Sequence, residues 1–110
     1  MNKVSFLGEL EQMVLLAVLR LGDEAYSMAV RTEIRLCAGR RVARGAVYIT
    51  LDRLVKKGCL SSRLGDPLPE RGGRARRYFA LTPPGKAALT ASRQALLKLW
   101  EGHESALESK

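Results

Sequence analysis

From Phe6 to Leu21 apolar residues recur at helical spacing: Phe6, Leu7, Leu10, Met13, Val14, Ala17, Val18 and Leu21. Leu15, Leu16 and Leu19 widen that stripe, so the pattern predicts a first helix buried on most sides. Gly22 is a natural stop for it. Ser27 is a natural cap for a second helix that runs to about Cys37, with Val30, Ile34 and Cys37 inward and Arg31 and Arg35 outward. "AGRRVARG" then reads as an arginine-rich connector. In "GAVYITLDRLVKKG" the positions Val47, Leu51, Leu54 and Val55 form the inner stripe of a third helix. Tyr48, Thr50, Arg53 and Lys57 lie off the stripe, and Gly58 ends the helix.

The periodicity then shortens. "CLSSRL" and "RRYFALT" are β-like runs on either side of the Gly- and Pro-rich "GDPLPERGGRA", which predicts an antiparallel hairpin over about 59–82. Thr82 can cap a last helix that has Pro83 in its first position and extends to about residue 105. Leu89, Leu96 and His103 are spaced by seven, as are Ser92, Leu99 and Ala106, an imperfect coiled-coil seam. The order is three helices, two strands and a helix, mainly α with a small β-hairpin. It predicts a winged helix-turn-helix over 1–82, whose third helix is the recognition helix. It also predicts a C-terminal dimerisation helix over 83–110, packed with the N-terminal helix of the partner.

Charge sharpens this picture. The 110 residues carry a net charge of +8, but Arg31–Arg77 holds 13 Lys/Arg against four acids, and the remainder is net −1. A polyanion for the middle of the chain and a different task for its ends is the simplest account; the alternative is a solvated surface that aids solubility. No apolar run is long enough to cross a membrane. The N-terminus superficially resembles a signal peptide, but Glu9 and Glu11 interrupt it and no small-residue cleavage site follows. A cytoplasmic protein is therefore expected. Cys37 and Cys59 read as small core residues, and with one histidine in the chain they cannot supply the four ligands of a structural zinc site. Neither a cofactor nor catalysis is expected. His103 has no paired nucleophile, and the glycines of "ERGGRAR" do not open a helix as a dinucleotide loop does.

DNA binding fits the inventory. The start of the third helix offers Arg44 and Gly45, where small residues and free N–H groups suit a phosphate. Tyr48 reaches a phosphate or a base, or else packs half-buried. Thr50 touches a phosphate or a thymine methyl, or is an ordinary surface residue. Arg53 pairs with DNA, or with Asp52 or another neighbour. In the wing, Arg71, Arg74, Arg76 and Arg77 occur with no acid among them, beside the glycines 72 and 73 that a tight tip needs. Strand alternation sends one of Arg76 and Arg77 to DNA and the other to the body; the alternative is a loose charged loop. Leu7, Leu10 and Val14 of the first helix and Leu89, Leu96 and Leu99 of the last are the candidate dimer surface. Trp100 either packs there or stacks a flat ligand between subunits.

The stretches "LGELEQMVLLAVLRLG", "AYSMAVRTEI", "GAVYITLDRLVKKGCLSSR" and "ERGGRARRYFALTPPGKAAL" resemble the PadR family of bacterial transcriptional regulators along nearly the whole chain. The resemblance implies a winged helix-turn-helix homodimer, usually a repressor that leaves a palindromic operator when an inducer binds. It places the family's helix tyrosine on Tyr48 and its basic wing on "RGGRARRY". A single C-terminal helix implies the small subclass. Members often have glycine where Ser27 stands. Some line a central pore of the dimer with aromatics, for a small aromatic inducer, and from the last helix only Trp100 can do so here. Two competing functions are a small-molecule sensor with its site at the dimer interface and a non-specific nucleic-acid-binding module.

Overall fold

The computed structural model describes residues 6–67 and 72–107. Its elements are α1 (Glu9–Leu21), α2 (Ser27–Ala38), α3 (Arg44–Lys56), β1 (Leu60–Leu64), β2 (Arg77–Leu81) and α4 (Pro83–Trp100), with single 3-10 turns at Gly22–Glu24 and Glu104–Leu107. Helix α1 starts after Phe6, which is exposed. The Gly8 N–H donates to Glu11 Oε1 at 2.9 Å, one half of a capping box. Ser27 is the first residue of α2 instead of its cap; Tyr26 holds the cap position, and its carbonyl accepts from the Val30 N–H.

The core joins Val14, Leu15 and Val18 of α1 to Val30 and Ile34 of α2 and to Val47, Leu51 and Leu54 of α3. Leu60 and Phe79 cover it from the hairpin. The strands pair antiparallel from Leu60–Leu81 to Leu64–Arg77. The Phe79 N–H donates to the Ala25 carbonyl at 2.8 Å, so β2 is tied to the segment before α2. At the far end Thr82 caps α4 as its sequence predicts: Oγ1 accepts from the Gly85 N–H and donates to the Gly58 carbonyl.

Several expectations change. Leu7 and Val14 are buried in their own subunit, the Leu7 N–H donating to Ser92 Oγ at 3.0 Å, and so they cannot form a dimer surface. Leu10 and Leu89 are half-buried against the same core. A helix apolar on most sides does not announce which side its own fold takes. Helix α4 stops at Trp100, because Glu101 leaves helical dihedrals and Gly102 takes φ +81°. His103 and Ala106 thus lie beyond it and Ser92 is buried, so the two heptad rows are not continuous. Cys59 is buried as expected, and burial raises its thiol pKa. Cys37 is exposed, its Sγ donating to Glu33 Oε2 at 3.1 Å.

The buried acid Glu11 bonds Lys57 Nζ at 2.7 Å, clamping α1 to the end of α3. Burial raises the Glu11 pKa, but the Lys57 ammonium and the Gly8 N–H outweigh it and hold the carboxyl below its ordinary 4.5. A carboxyl with a lowered folded-state pKa contributes stability in full above its ordinary value and loses it as pH falls through the folded value. We expect Glu11→Gln to cost about 1–2 kcal/mol at neutral pH. Urea titrations at pH 7 and in mild acid should show this cost shrinking with acidification; a constant difference would refute the clamp.

Candidate nucleic-acid interface

The third helix turns Val47, Thr50, Leu51 and Leu54 inward and leaves Arg44, Gly45, Tyr48, Ile49 and Arg53 exposed. Thr50 is only 4% exposed, with Oγ1 donating to the Ala46 carbonyl at 2.7 Å; it is a core residue, not a DNA contact. Its side chain is short and satisfies its hydroxyl on its own helix, so burial costs little. Ile49, at 59% exposure, has the solvent-facing position that Thr50 lacks. Nothing in the hydrophobic pattern flags it, because an isoleucine reads as core. Tyr48 is 51% exposed, so half of its surface packs on the subunit and half is open to a partner. No side chain caps α3 at Ala43, so its first N–H groups are open to an anion. Arg53 is exposed, and Asp52 lies within ion-pair distance of Lys56 and Arg77 instead.

The wing root is a ladder of cations and rings. Arg63 lies over the Tyr78 ring, 4.7 Å from its centroid; Tyr78 meets Tyr26 edge-on at 5.9 Å; Arg76 lies over Tyr26 at 3.9 Å. Such cation–ring contacts contribute about 0.5–1 kcal/mol each at exposed sites. Arg77 lies over Phe79 and reaches Asp52 at 3.6 Å. Both Arg76 and Arg77 therefore engage the body, where alternation along a strand sends only one. Arg76 precedes the strand, so the alternation does not govern it. Its Nε is buried without a partner among the described residues. Arg74 is exposed beside Gly72 and Gly73, whose φ of +66° and +79° turn the tip. Arg71 lies outside the described residues. Tyr26, Ser27 and Met28 of the α2 start, Tyr48, and the segment Ala75–Arg77 enclose a groove of about 250 Å³. The part played by Tyr26 was not legible, since its stacking partners are 50 or more residues away along the chain.

Helices α1 and α4 enclose an apolar groove of about 540 Å³ whose lining includes Leu16, Leu19, Leu96 and Trp100, with Lys86 and Arg93 among its polar members. Leu96 is 49% exposed and Leu99, outside the groove, 77%. Among the described residues no helix is long and apolar enough to cross a membrane, and no group of His, Cys, Asp and Glu could hold a metal ion.

Three helices followed by a two-stranded hairpin, with the third helix exposed beside the hairpin, make this a winged helix-turn-helix. Residues 15–91 match the Transcriptional regulator PadR-like family, and the chain belongs to it. Transcriptional regulator Rv3488 of Mycobacterium tuberculosis is 48% identical over 63 residues, which are 56% of this chain and 53% of the relative; the chain thus spans about half of that protein. A PadR-like transcription factor from Bacteroides fragilis is 27% identical, with a TM-score of 0.69 over 84% of each chain. A PadR-like transcriptional regulator from Bacillus cereus, 21% identical, has the same fold at a TM-score of 0.71 over 92% of this chain and 93% of its own. The family consists of transcription factors, in agreement with the expectation that the chain is not an enzyme.

Proposed function

We propose that this regulator binds a palindromic operator as a homodimer, with 1–82 as the DNA-binding unit and 83–110, built on α4, as the dimerisation unit. The observation that carries the proposal is the α3 face of Arg44, Gly45, Tyr48, Ile49 and Arg53, exposed next to a cationic wing. In the major groove Arg44 and Arg53 reach guanines or phosphates, Tyr48 a phosphate or base, and Ile49 a thymine methyl. The groove beside Tyr48 receives a backbone phosphate, onto which Arg76 donates, while Arg74 beside the glycine turn meets the next turn of backbone. The dimer buries the apolar surface that α1 and α4 leave open: Leu96, Leu99 and Trp100 with Leu16 and Leu19, flanked by Leu10 and Leu89. Two recognition helices then lie about one DNA turn, roughly 34 Å, apart.

Occupying an operator represses when the site overlaps a promoter. One observation favours a sensing role as well: Trp100 lines a groove inside the proposed dimer surface, so a flat aromatic inducer stacked there alters subunit spacing and releases the operator.

The test selects duplexes from a random-sequence library with the intact protein. We expect an inverted repeat. Tyr48→Ala and Ile49→Ala should each weaken the selected site by about tenfold, near 1.4 kcal/mol, with unchanged Tm, and Ile49→Ala should leave affinity for random duplex unchanged. Equal losses on selected and random DNA would return the protein to the non-specific class.

A further inference from the structure

We propose that the middle of α2, with the turn after the helix, forms a second phosphate site, separate from the groove under the wing. Arg31, Thr32 and Arg35 fall on one face of α2 at i, i+1 and i+4, and Arg41 and Val42 of the turn close a cleft of about 210 Å³ with them. The Nε of Arg31 donates to the Val42 carbonyl at 2.6 Å, which holds this half-buried guanidinium in the cleft wall. That bond uses one of five donors, and the rest are free for a ligand. Arg35 and Arg41 are exposed on the same cleft.

None of the three enters an ion pair among the described residues. Glu33, the acid nearest to Arg31 and Arg35 in sequence, is already paired with Arg20. Three like charges around one small cleft repel each other, and an anion between them removes that cost. Three forked donor groups and one hydroxyl match a tetrahedral phosphate, with its several oxygens, better than a carboxylate with two.

The phosphate is a diester of a DNA strand or a free phosphate. The first source rests on the proposed function. Met28 lines the groove under the wing and lies on the same α2 face as Arg35, about 10 Å away along the axis. A strand leaving that groove along α2 therefore meets the cleft next, and α2 grips the backbone at its start and again through the cleft.

Arg35→Gln with Arg41→Gln removes two charges and leaves Arg31 on Val42. Both side chains are exposed, so Tm should not change. Inorganic phosphate titrated at low ionic strength should shift the NMR signals of Arg31, Arg35 and Arg41 in the wild type, and these shifts should be lost in the variant. In parallel, binding to a random-sequence duplex is followed against salt. A slope of log K lower by about 0.9 in the variant assigns the cleft to one DNA phosphate. Phosphate-dependent shifts with an unchanged slope assign it to free phosphate. No shift together with an unchanged slope overturns the site. A wild type that ignores duplex DNA would sink the operator reading, and the phosphate titration would still decide the cleft.

Discussion

Gly85→Ala is expected to destabilise the protein by about 3 kcal/mol or more, the upper end of what overpacking costs. A Cβ at Gly85 would sit 2.1 Å from the Cys59 carbonyl oxygen and 3.0 Å from both the Cys59 carbonyl carbon and Leu81 Cδ1. Backbone cannot yield here as the end of a flexible side chain could. The Cys59 carbonyl accepts the Thr82 N–H at 3.1 Å, and Thr82 holds both Gly58 and Gly85 through its hydroxyl. Moving the carbonyl away breaks this joint between hairpin and α4. The helix propensity gained, about 1 kcal/mol at most, does not offset it. Gly45→Ala is the control: nothing lies within 4 Å of its Cβ, so the same exchange should be neutral or stabilising by up to about 1 kcal/mol. Thermal melts of the two variants check this. For a domain of this size 1 kcal/mol moves Tm by roughly 4 °C or more, so Gly85→Ala should melt at least about 10 °C lower. A Tm within two or three degrees of wild type, about the effect of half a kcal/mol, would mean the close approach is not real.

Leu96→Glu with Leu99→Glu is expected to yield a folded monomer that has lost its operator. Both leucines are exposed in the subunit, so their replacement leaves the core of α1, α2 and α3 intact. In a dimer they would be buried, and two carboxylates per subunit in an apolar seam cannot be solvated. Once the subunits part, each half-site is bound alone, and the gain from linking two binding events, about 10²–10⁴ in affinity, disappears. Sedimentation should give twice 12.1 kDa for the wild type and 12.1 kDa for the variant, with unchanged circular dichroism. Val14→Glu makes the contrast: Val14 is fully buried within one subunit, so that variant should unfold instead of dissociate. A wild type sedimenting at 12.1 kDa at micromolar concentration would overturn the dimer and the palindrome with it.

The three-helix and hairpin order was legible because its signals are local. The stripe of Val47, Leu51 and Leu54 and the Thr82–Pro83 start of α4 each lie within one turn or one element. What was misread depends on partners distant in sequence. Thr50 completes the buried stripe at i+3 from Val47, but a polar residue is not counted in an apolar pattern. Leu7 and Val14 were assigned to a partner because α1 is apolar nearly all round, and only packing shows that the subunit's own core takes Val14 and Leu15 while Leu16 and Leu19 stay out. Alternation gives only one of Arg76 and Arg77 to the body; that both engage it depends on Tyr26 and Asp52, neither of which is near them in sequence. Glu11 looked like an interruption of an apolar run, and its meaning depends on Lys57 at the far end of α3.

The wing is fastened at its root three ways: Phe79 bonds Ala25, Tyr78 bridges Tyr26, and Arg77 reaches Asp52 on α3. Helix α3 and the wing root are consequently coupled, like the two jaws of a fixed spanner. In the proposed complex neither can slacken its hold on a duplex alone. The Cys59–Thr82–Gly85 joint ties the same hairpin firmly to α4. In the proposed dimer, a displacement of α4 is therefore passed to the hairpin and, through its root, to α3 as well.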